Sequence, residues 1–149
     1  MALNATDDNA PARATHRVAA SPGADLEAPF LGARLHQASQ RYAAELDKAL
    51  GGGITRAQFQ VMDALSRHAP CSQTVLVNAT GVDRSTLADI VRRLKGRGLI
   101  ERKRNKDDTR AYLAKLTPAG TAALREARKA VEKLDRTIGK EIVDSLQRG

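Results

Sequence analysis

Basic side chains cluster in one part of this sequence, and their chemistry is the neutralisation of negative charge. The segment 84–110 contains ten lysines and arginines against four acidic residues, in a chain of 149 residues whose formal net charge is +8. Such a density of guanidinium and ammonium groups is typical of phosphate binding, although composition alone allows nucleic acid or an anionic membrane surface. The scarcity of aromatic residues, with no tryptophan, argues against a stacking platform for single strands.

Nucleophilic and metal-binding chemistry is sparsely represented. Cys71, with His68 close by in sequence, is the one nucleophile-like pair, and it directly precedes Ser72, a predicted helix N-cap. A helix terminus can activate a thiol, which makes a cysteine-based redox sensor the alternative function, whereas a small buried side chain is the ordinary use of a lone cysteine. The histidines, His16, His36 and His68, are scattered, so we expect no metal site, no cofactor and no catalysis.

The spacing of apolar residues predicts the helices that position the basic segment. Residues 1–25 lack an apolar period and are rich in Ala, Asp, Asn, Pro and Ser, which predicts a disordered arm. Apolar residues then recur every three or four positions from about 28 to 50, which predicts a long first helix ended by the glycines at 51–53. Thr55 and Ser72 stand where N-caps belong and predict the starts of a second and a third helix.

A helix-turn-helix is predicted next. The third helix has Val75, Leu76 and Ala79 as its apolar positions and ends at Gly81, and Asp83 caps a fourth helix almost at once. Two short helices joined by a tight glycine-containing turn form the pattern whose second helix enters a DNA groove. The core-facing stripe of the fourth helix consists of Leu87, Ile90, Val91 and Leu94.

The opposite face of the fourth helix carries the side chains that we expect to contact DNA. Arg92 can bind O6 and N7 of guanine, Asp89 can accept from N4 of cytosine, and Ala88 can touch a thymine methyl group. The alternative for Asp89 is an ordinary i,i+4 ion pair with Arg93. Backbone N–H groups at the helix N-terminus favour a phosphate. The predicted contacts of this helix are Arg84, Ser85, Thr86, Ala88, Asp89, Arg92 and Arg93.

After the fourth helix the apolar period changes to that of a β-hairpin, which makes the helix-turn-helix winged. Residues 99–104 and 110–116 are predicted strands around the polar turn 105–108. Asp108 and Arg110, two apart on one strand, are expected to share a face, where the carboxylate would orient the guanidinium for a narrow minor groove. The predicted wing contacts are Arg102, Lys103, Arg104, Lys106, Asp108 and Arg110.

A last long helix completes the predicted architecture. Thr117 and Pro118 predict its cap and first turn. Its apolar seam suits another helix better than a domain core, so we predict that it pairs with a partner chain. The seam consists of Leu124, Ala127, Val131, Leu134 and Ile138. The predicted fold class is mainly α with a small β-hairpin wing: a winged helix-turn-helix at 53–117 between dimerisation helices at 26–52 and 118–149.

Several motifs add a family likeness to these elements. The run from Gly81 to Gly120 contains D-R-S-T at the start of the fourth helix, R-R-L-x-x-R-G-L-I at its end, D-x-R in the wing, and L-T-P-A-G after the second strand. It resembles the winged helix-turn-helix of the MarR family, the multiple antibiotic resistance regulators. Residues 53–65, GITRAQFQVMDAL, resemble the second helix of that family, so the likeness spans about 26–142.

The resemblance implies a homodimeric bacterial regulator that binds a pseudo-palindromic operator in double-stranded DNA, usually as a repressor released by a small effector. It makes Arg110 the wing arginine and Asp108 the residue that holds it, and it implies a phenolic or other aromatic carboxylate-like effector. Family chains also usually continue through another C-terminal helix, for which only residues 138–149 remain. Candidate pocket residues on the first helix are Arg34, His36, Arg41 and Tyr42. Helical spacing makes Tyr42 more a core residue than a pocket residue.

The sequence contains no signal for insertion into a membrane. No apolar run reaches 18 residues, and the first 25 residues lack the continuous apolar stretch of a secretory signal. We therefore expect a cytoplasmic protein with no membrane partner.

Overall fold

The computed structural model describes residues 30–148, which are mainly helical with one β-hairpin. The first helix, α1 (Leu31–Leu50), ends where Gly51 takes a left-handed conformation with a φ angle of 62°. Ala38 is the buried side chain of this helix, so most of its surface lies outside the core of the described chain. The predicted arm at 1–25 and the predicted helix start near 28 lie outside the described residues. No described helix is both long enough and apolar enough to cross a membrane.

Local capping determines where the next three helices begin. The helix α2 (Arg56–His68) starts with a reciprocal pair of hydrogen bonds, in which the Thr55 hydroxyl accepts from the N–H of Gln58 at 3.1 Å and the Gln58 side chain accepts from the N–H of Thr55 at 3.2 Å. The other two caps match the sequence predictions as well: Ser72 caps α3 (Gln73–Thr80), and Asp83 caps α4 (Arg84–Gly96).

The apolar stripes of α2, α3 and α4 pack together as the core of the winged domain. Its most deeply buried side chains are Val61, Met62, Leu65, Leu76, Leu87, Val91 and Leu94. Ile90 is buried too, which confirms the predicted stripe of α4. Of the three apolar positions predicted for α3, Leu76 is buried while Val75 and Ala79 are exposed, and the half-buried Val77 packs against the core beside Leu76.

The hairpin consists of β1 (Ile100–Arg104) and β2 (Tyr112–Leu116), paired antiparallel. The register places Ile100 opposite Leu116 at the base and Arg104 opposite Tyr112 at the loop end. The prediction started the second strand at position 110, which is too early, because residues 105–111 form the loop. Its ends are joined by a hydrogen bond from the N–H of Asn105 to the carbonyl of Ala111 at 2.9 Å.

Long-range hydrogen bonds hold the hairpin and the start of the last helices to the core. The hairpin is attached to the start of α3 because Cys71 and Ala114 exchange two backbone hydrogen bonds, at 3.2 and 2.9 Å. Thr117 caps α5 (Pro118–Leu134) and donates its hydroxyl to the carbonyl of Gly98 at 2.6 Å. The start of α5 is therefore joined directly to the turn that follows α4.

The C-terminal part continues from α5 through a π-helical segment (Asp135–Gly139) into α6 (Lys140–Gln147). Three residues of the predicted seam are buried within the same chain, where Leu124 and Ala127 belong to the core and Leu134 is covered as well, so their assignment to a partner was wrong. Val131 and Ile138 are half-buried, and their pairing with a partner chain stays a prediction. Apolar residues spaced three and four apart show that one face of a helix is covered, but they do not show which helix covers it. In this chain α1 and α2 pack against α5.

Candidate nucleic-acid interface

The exposed face of α4 carries the predicted contact residues. The buried stripe of this helix packs on α2 and α3. Two side-chain hydrogen bonds add to that packing: the Arg97 guanidinium donates to the Gln58 side chain at 3.3 Å, and Arg84 donates to the Thr74 hydroxyl at 3.4 Å. On the outer side, Asp89 is half-buried. The exposed residues there are Arg84, Ser85, Thr86, Ala88, Arg92 and Arg93.

The N-terminus of α4 is already occupied by a carboxylate. Asp83 accepts from the N–H of Thr86 at 2.9 Å and from the hydroxyl of Ser85 at 2.7 Å. These hydrogen bonds hold the pKa of the Asp83 carboxyl far below its usual range, so the group is charged at any neutral pH. An approaching phosphate therefore meets a capped terminus, and Arg84 is the side chain there that can attract it.

Asp89 binds two arginines at once. Its Oδ2 lies 2.7 Å from Nε of Arg93, and its Oδ1 accepts from Nη2 of Arg92. The ion pair with Arg93 is the alternative considered from the sequence, and the second pair with Arg92 was not predicted. The hydrogen bond from Arg92, followed by the positive charge of both guanidinium groups, lowers the pKa of the Asp89 carboxyl. The polar face of α4 therefore carries a charged triad at its centre.

The wing loop does not contain the predicted ion pair. Oδ1 of Asp108 accepts from the backbone N–H of Arg110 at 3.0 Å, and the guanidinium of Arg110 forms no ion pair with any residue that the structure describes. The prediction was wrong because both residues precede β2, and residues two apart share a face only in an extended strand. Asp108 thus shapes the loop backbone, while Arg110 projects from it as an exposed cation.

An aromatic residue organises the wing instead. The Arg102 guanidinium lies 4.7 Å from the centroid of the Tyr112 ring, and the Arg104 guanidinium lies 5.8 Å from it. Cation–π contacts of this kind hold the two arginines near one another. Sequence reasoning missed Tyr112, although the cross-strand register, which pairs it with Arg104, identifies it once the strand ends are known.

The remaining charged residues of the wing lie in the loop and on the face of the hairpin opposite Arg102 and Arg104. Glu101 accepts from Lys115 at 2.9 Å and lies 4.0 Å from Lys103, and these partners lower its carboxyl pKa. Lys103 and Lys106 are both exposed near the end of the hairpin. The wing therefore presents cations on both faces and at its end.

Cys71 is not a reactive thiol in this fold. It is buried, with 5% of its surface exposed, in the strand-like contact with Ala114. Burial raises the pKa of the Cys71 thiol, which is the opposite of the activation expected from the neighbouring helix terminus. That expectation was wrong, and the redox alternative loses its physical basis. The structure describes no group of His, Cys, Asp or Glu residues in 30–148 that could bind a metal.

Three of the four predicted pocket residues join α1 to the C-terminal segment. Arg34 donates to the carbonyls of Ser145 and Leu146, Arg41 binds Glu141 at 2.9 Å, and the Tyr42 hydroxyl donates to Asp135 at 2.6 Å. Burial, then the hydrogen bond to Asp135, raises the pKa of Tyr42 to about 12. The fourth, His36, is exposed. The assignment of these side chains to an effector pocket stays a prediction.

A cleft of about 620 Å³ opens elsewhere, between the end of α2, strand β2 and α5. Apolar side chains including Leu65, Leu116 and Leu124 form part of its lining. Its charged lining residues are Lys115, Arg125, Arg128, Lys129 and Glu132. A cleft of this size is large enough for a small organic ligand, and the surplus of cations favours an anionic one.

Comparison with known proteins adds a family to this geometry. The MarR family model matches residues 52–111. The multiple antibiotic resistance protein MarR of Escherichia coli is 31% identical over 102 residues, which cover 68% of this chain and 71% of that protein. This chain belongs to the MarR family. The family resemblance and the winged helix-turn-helix fold expected from the sequence are confirmed, and MarR-family proteins are regulators and not enzymes, as expected.

Two further relatives extend the comparison. The transcriptional repressor NicR of Pseudomonas putida is 38% identical over 95 residues, and the match spans 63% of this chain but only 60% of NicR. A crystal structure of a mutant of E. coli MarR complexed with operator DNA is 29% identical, with a TM-score of 0.70, covering 79% of this chain and 89% of that one. A structure of Bordetella bronchiseptica BpsR, concerned with regulation of its DNA binding by 6-hydroxynicotinic acid, is 32% identical, with a TM-score of 0.68 and coverage of 72% and 83%.

Proposed function

We propose that this MarR-family chain is a cytoplasmic, sequence-specific regulator that binds a pseudo-palindromic operator in double-stranded DNA as a homodimer and represses transcription. The observation that carries the proposal is that two basic surfaces lie on one domain with a shared core. The polar face of α4 presents Arg92 and Arg93, and the adjacent hairpin presents Arg102 and Arg104. A helix of this kind reads base edges in the major groove, and a basic hairpin binds the neighbouring backbone or minor groove.

The relatives support the same function. The E. coli MarR mutant, which has the same fold, is complexed with operator DNA, and NicR is a transcriptional repressor. Repression follows from a dimer that occupies its operator and excludes other proteins from it.

Selection from a random duplex library tests the DNA-binding part. We expect the purified protein to enrich a two-fold symmetric sequence, to bind it more tightly than a shuffled duplex, and to lose affinity steeply as salt rises, because several phosphates are neutralised. Replacing Arg92 by alanine should remove the preference for the selected sequence. The control is Arg136→Ala, an exposed arginine in the π-helical segment, outside the winged domain. Weak binding to every duplex at low salt would contradict the proposal.

The homodimer is supported by apolar side chains exposed on α1 and α6. Leu31 is 61% and Leu35 49% exposed on α1, Phe30 is 65% exposed just before it, and Val143 is 51% exposed on α6. Arg34 and the carbonyls at the end of α6 bring the N-terminal end of α1 and the end of α6 together. Large apolar side chains left uncovered in a single chain are typical of a surface that a second copy buries.

Light scattering after gel filtration tests this surface. The protein should run as a dimer, and Leu31→Glu combined with Leu35→Glu should yield a folded monomer with weaker operator binding. Val75→Glu introduces the same charge at a side chain on α3 that is 40% exposed, and it should leave the dimer intact. A double variant that remains dimeric at micromolar concentration would rule out this surface.

We propose that the cleft between α2, β2 and α5 binds the effector that releases the protein from DNA. Arg128 is already held by Asp63 at 2.7 Å and by Ser66 at 2.6 Å, Lys129 by Glu126, and Lys115 by Glu101. Arg125, by contrast, has no hydrogen-bond or ion-pair partner among the described residues, so its full charge is available to a ligand.

The effector class follows from this lining and from a relative. An apolar floor beside a guanidinium suits a small aromatic acid, whose ring covers the leucines while its carboxylate binds Arg125. DNA binding by BpsR is regulated by 6-hydroxynicotinic acid, a molecule of that class. Because both α5 and the strand β2 line the cleft, a ligand there can alter the position of the wing relative to the last helices.

Calorimetric titration with 6-hydroxynicotinic acid and with benzoate tests the cleft. Binding should weaken at least about tenfold in Arg125→Ala, since a charge-assisted hydrogen bond is lost. Operator affinity without effector should stay the same in that variant. An effector that binds Arg125→Ala as tightly as the unmodified protein would rule out this cleft. Weaker binding in variants of Arg34 and His36 would place the effector site at α1 instead.

A further inference from the structure

Asp89 lies at the centre of a charged triad on the polar face of α4. Its two carboxylate oxygens bind different arginines, Arg92 and Arg93, three and four residues further along the helix. The Asp89 side chain is 41% exposed, against 74% and 64% for the two arginines. The acid therefore lies below the two cations, at the base of the surface that faces DNA.

This arrangement restricts what the two arginines can reach. An unpaired arginine on a helix rotates freely and pairs with the nearest phosphate, which carries no sequence information. Bound to Asp89 through Nε, Arg93 keeps both Nη groups free as a fork. Two acceptors side by side, such as O6 and N7 of guanine, match that fork.

The charge of the triad acts in the same direction. Two guanidinium groups and one carboxylate leave a single positive charge at the centre of the helix face, and the carboxylate itself repels phosphates. A duplex without guanine where Arg92 and Arg93 meet the base edges then gains little affinity from these two side chains. Duplexes with one gain directed hydrogen bonds from side chains whose orientation is already set, which lowers the ordering cost of binding.

We propose that Asp89 is a specificity-determining residue, which restrains Arg92 and Arg93 so that they bind guanine in preference to phosphates. The proposal rests on the proposed function, because it needs duplex DNA at this face. It differs from an ordinary surface ion pair, whose removal changes little. It also differs from a direct contact of Asp89 with cytosine, because the carboxylate acts through the arginines.

The test compares Asp89→Asn with Asp107→Asn on two duplexes, the sequence selected by the unmodified protein and a shuffled duplex of the same composition. Both variants remove one negative charge from the basic surface, but Asp107 lies in the wing loop and its carboxylate binds no arginine among the described residues. Fluorescence anisotropy at several salt concentrations yields the affinity and its salt dependence for each protein.

We expect Asp89→Asn to bind the shuffled duplex at least about tenfold more tightly and to reduce the ratio between the two affinities by a similar factor. Its salt dependence should become steeper by about one or two phosphates per protomer, as the released arginines bind the backbone. Asp107→Asn should tighten binding to both duplexes equally. Repeating the selection with Asp89→Asn should weaken the preference for guanine in the half-site.

Other outcomes overturn the inference separately from the function. An unchanged ratio of affinities in Asp89→Asn, or recovery of the same selected sequence with the same guanine preference, would reduce Asp89 to a surface ion pair. If Asp89→Asn loses affinity only for duplexes with a cytosine at one position of the half-site, Asp89 contacts that base directly. If the unmodified protein selects no sequence at all, both the proposed function and the role of Asp89 fail.

Discussion

The Arg102 guanidinium lies over the ring of Tyr112, 4.7 Å from its centroid, on the strand opposite. The Arg102 guanidinium is therefore oriented by a residue of the hairpin strands. The loop residue Asp108 orients no guanidinium, since its side chain binds only the backbone N–H of Arg110. Arg102 and Arg104 are therefore held by an aromatic ring that is itself 41% exposed.

Replacing Tyr112 by leucine should weaken operator binding about two- to fivefold, since exposed cation–π contacts contribute about 0.5–1 kcal/mol. The loss should appear at low salt, where wing contacts to the DNA are strongest. Tyr112→Phe keeps the ring face and should bind like the unmodified protein, as anisotropy titrations can establish. If phenylalanine weakens binding as much as leucine, the hydroxyl and not the ring is the important group.

Asp108 and Arg110 should respond differently to substitution. Arg110→Ala should weaken operator binding several-fold, because an exposed cation of the wing is lost. Asp108→Asn keeps an oxygen that accepts from the N–H of Arg110 and removes a negative charge, so it should bind DNA equally or more tightly. Electrophoretic mobility shifts with the selected duplex measure both. A loss in Asp108→Asn equal to that in Arg110→Ala would mean that the carboxylate holds the guanidinium when DNA is bound.

Gly120 should be among the positions least tolerant of change. A Cβ atom there would lie 1.8 Å from the carbonyl oxygen of Leu99, so Gly120→Ala must push α5 away from the turn after α4. We expect the free energy of unfolding in urea to fall by about 3 kcal/mol. Gly96 is the matched control, because a Cβ atom there meets nothing within 4 Å at the end of α4. Gly96→Ala should leave stability unchanged or raise it, and equal losses in both variants would contradict the contact.

Tyr42 should titrate at unusually high pH. Its pKa is raised to about 12 in the folded chain, so the protonated form is favoured by folding. The resulting stability is fully present below about pH 10, the ordinary tyrosine value, and is lost as pH rises through 12. The sequence contains two tyrosines, and absorbance titration should show the high step disappear in Tyr42→Phe but remain in Tyr112→Phe. Persistence of the high step in Tyr42→Phe, or its absence from the unmodified protein, would contradict the hydrogen bond to Asp135.

The short-range interactions of this chain could be predicted from its sequence. Thr55, Ser72, Asp83 and Thr117 were recognised as caps because a cap needs only a side chain and an N–H three residues away. The buried stripe of α4 was equally clear, since four apolar residues on one helix face must be covered. The basic character of α4 and the hairpin, and with it the family, could be read from the same local patterns.

Contacts between residues of different elements could not be predicted in this way, because they depend on how the chain folds. Leu124, Ala127 and Leu134 were assigned to a partner chain but are buried in their own, because periodicity does not reveal which surface meets a helix face. Asp108 and Arg110 were assigned to one strand, and a difference of two residues in where β2 begins removed their shared face. Tyr112 acquired its role from the cross-strand register, which places it beside the arginines of the opposite strand. Each outcome depends on distances that folding sets between residues, which composition and spacing leave open.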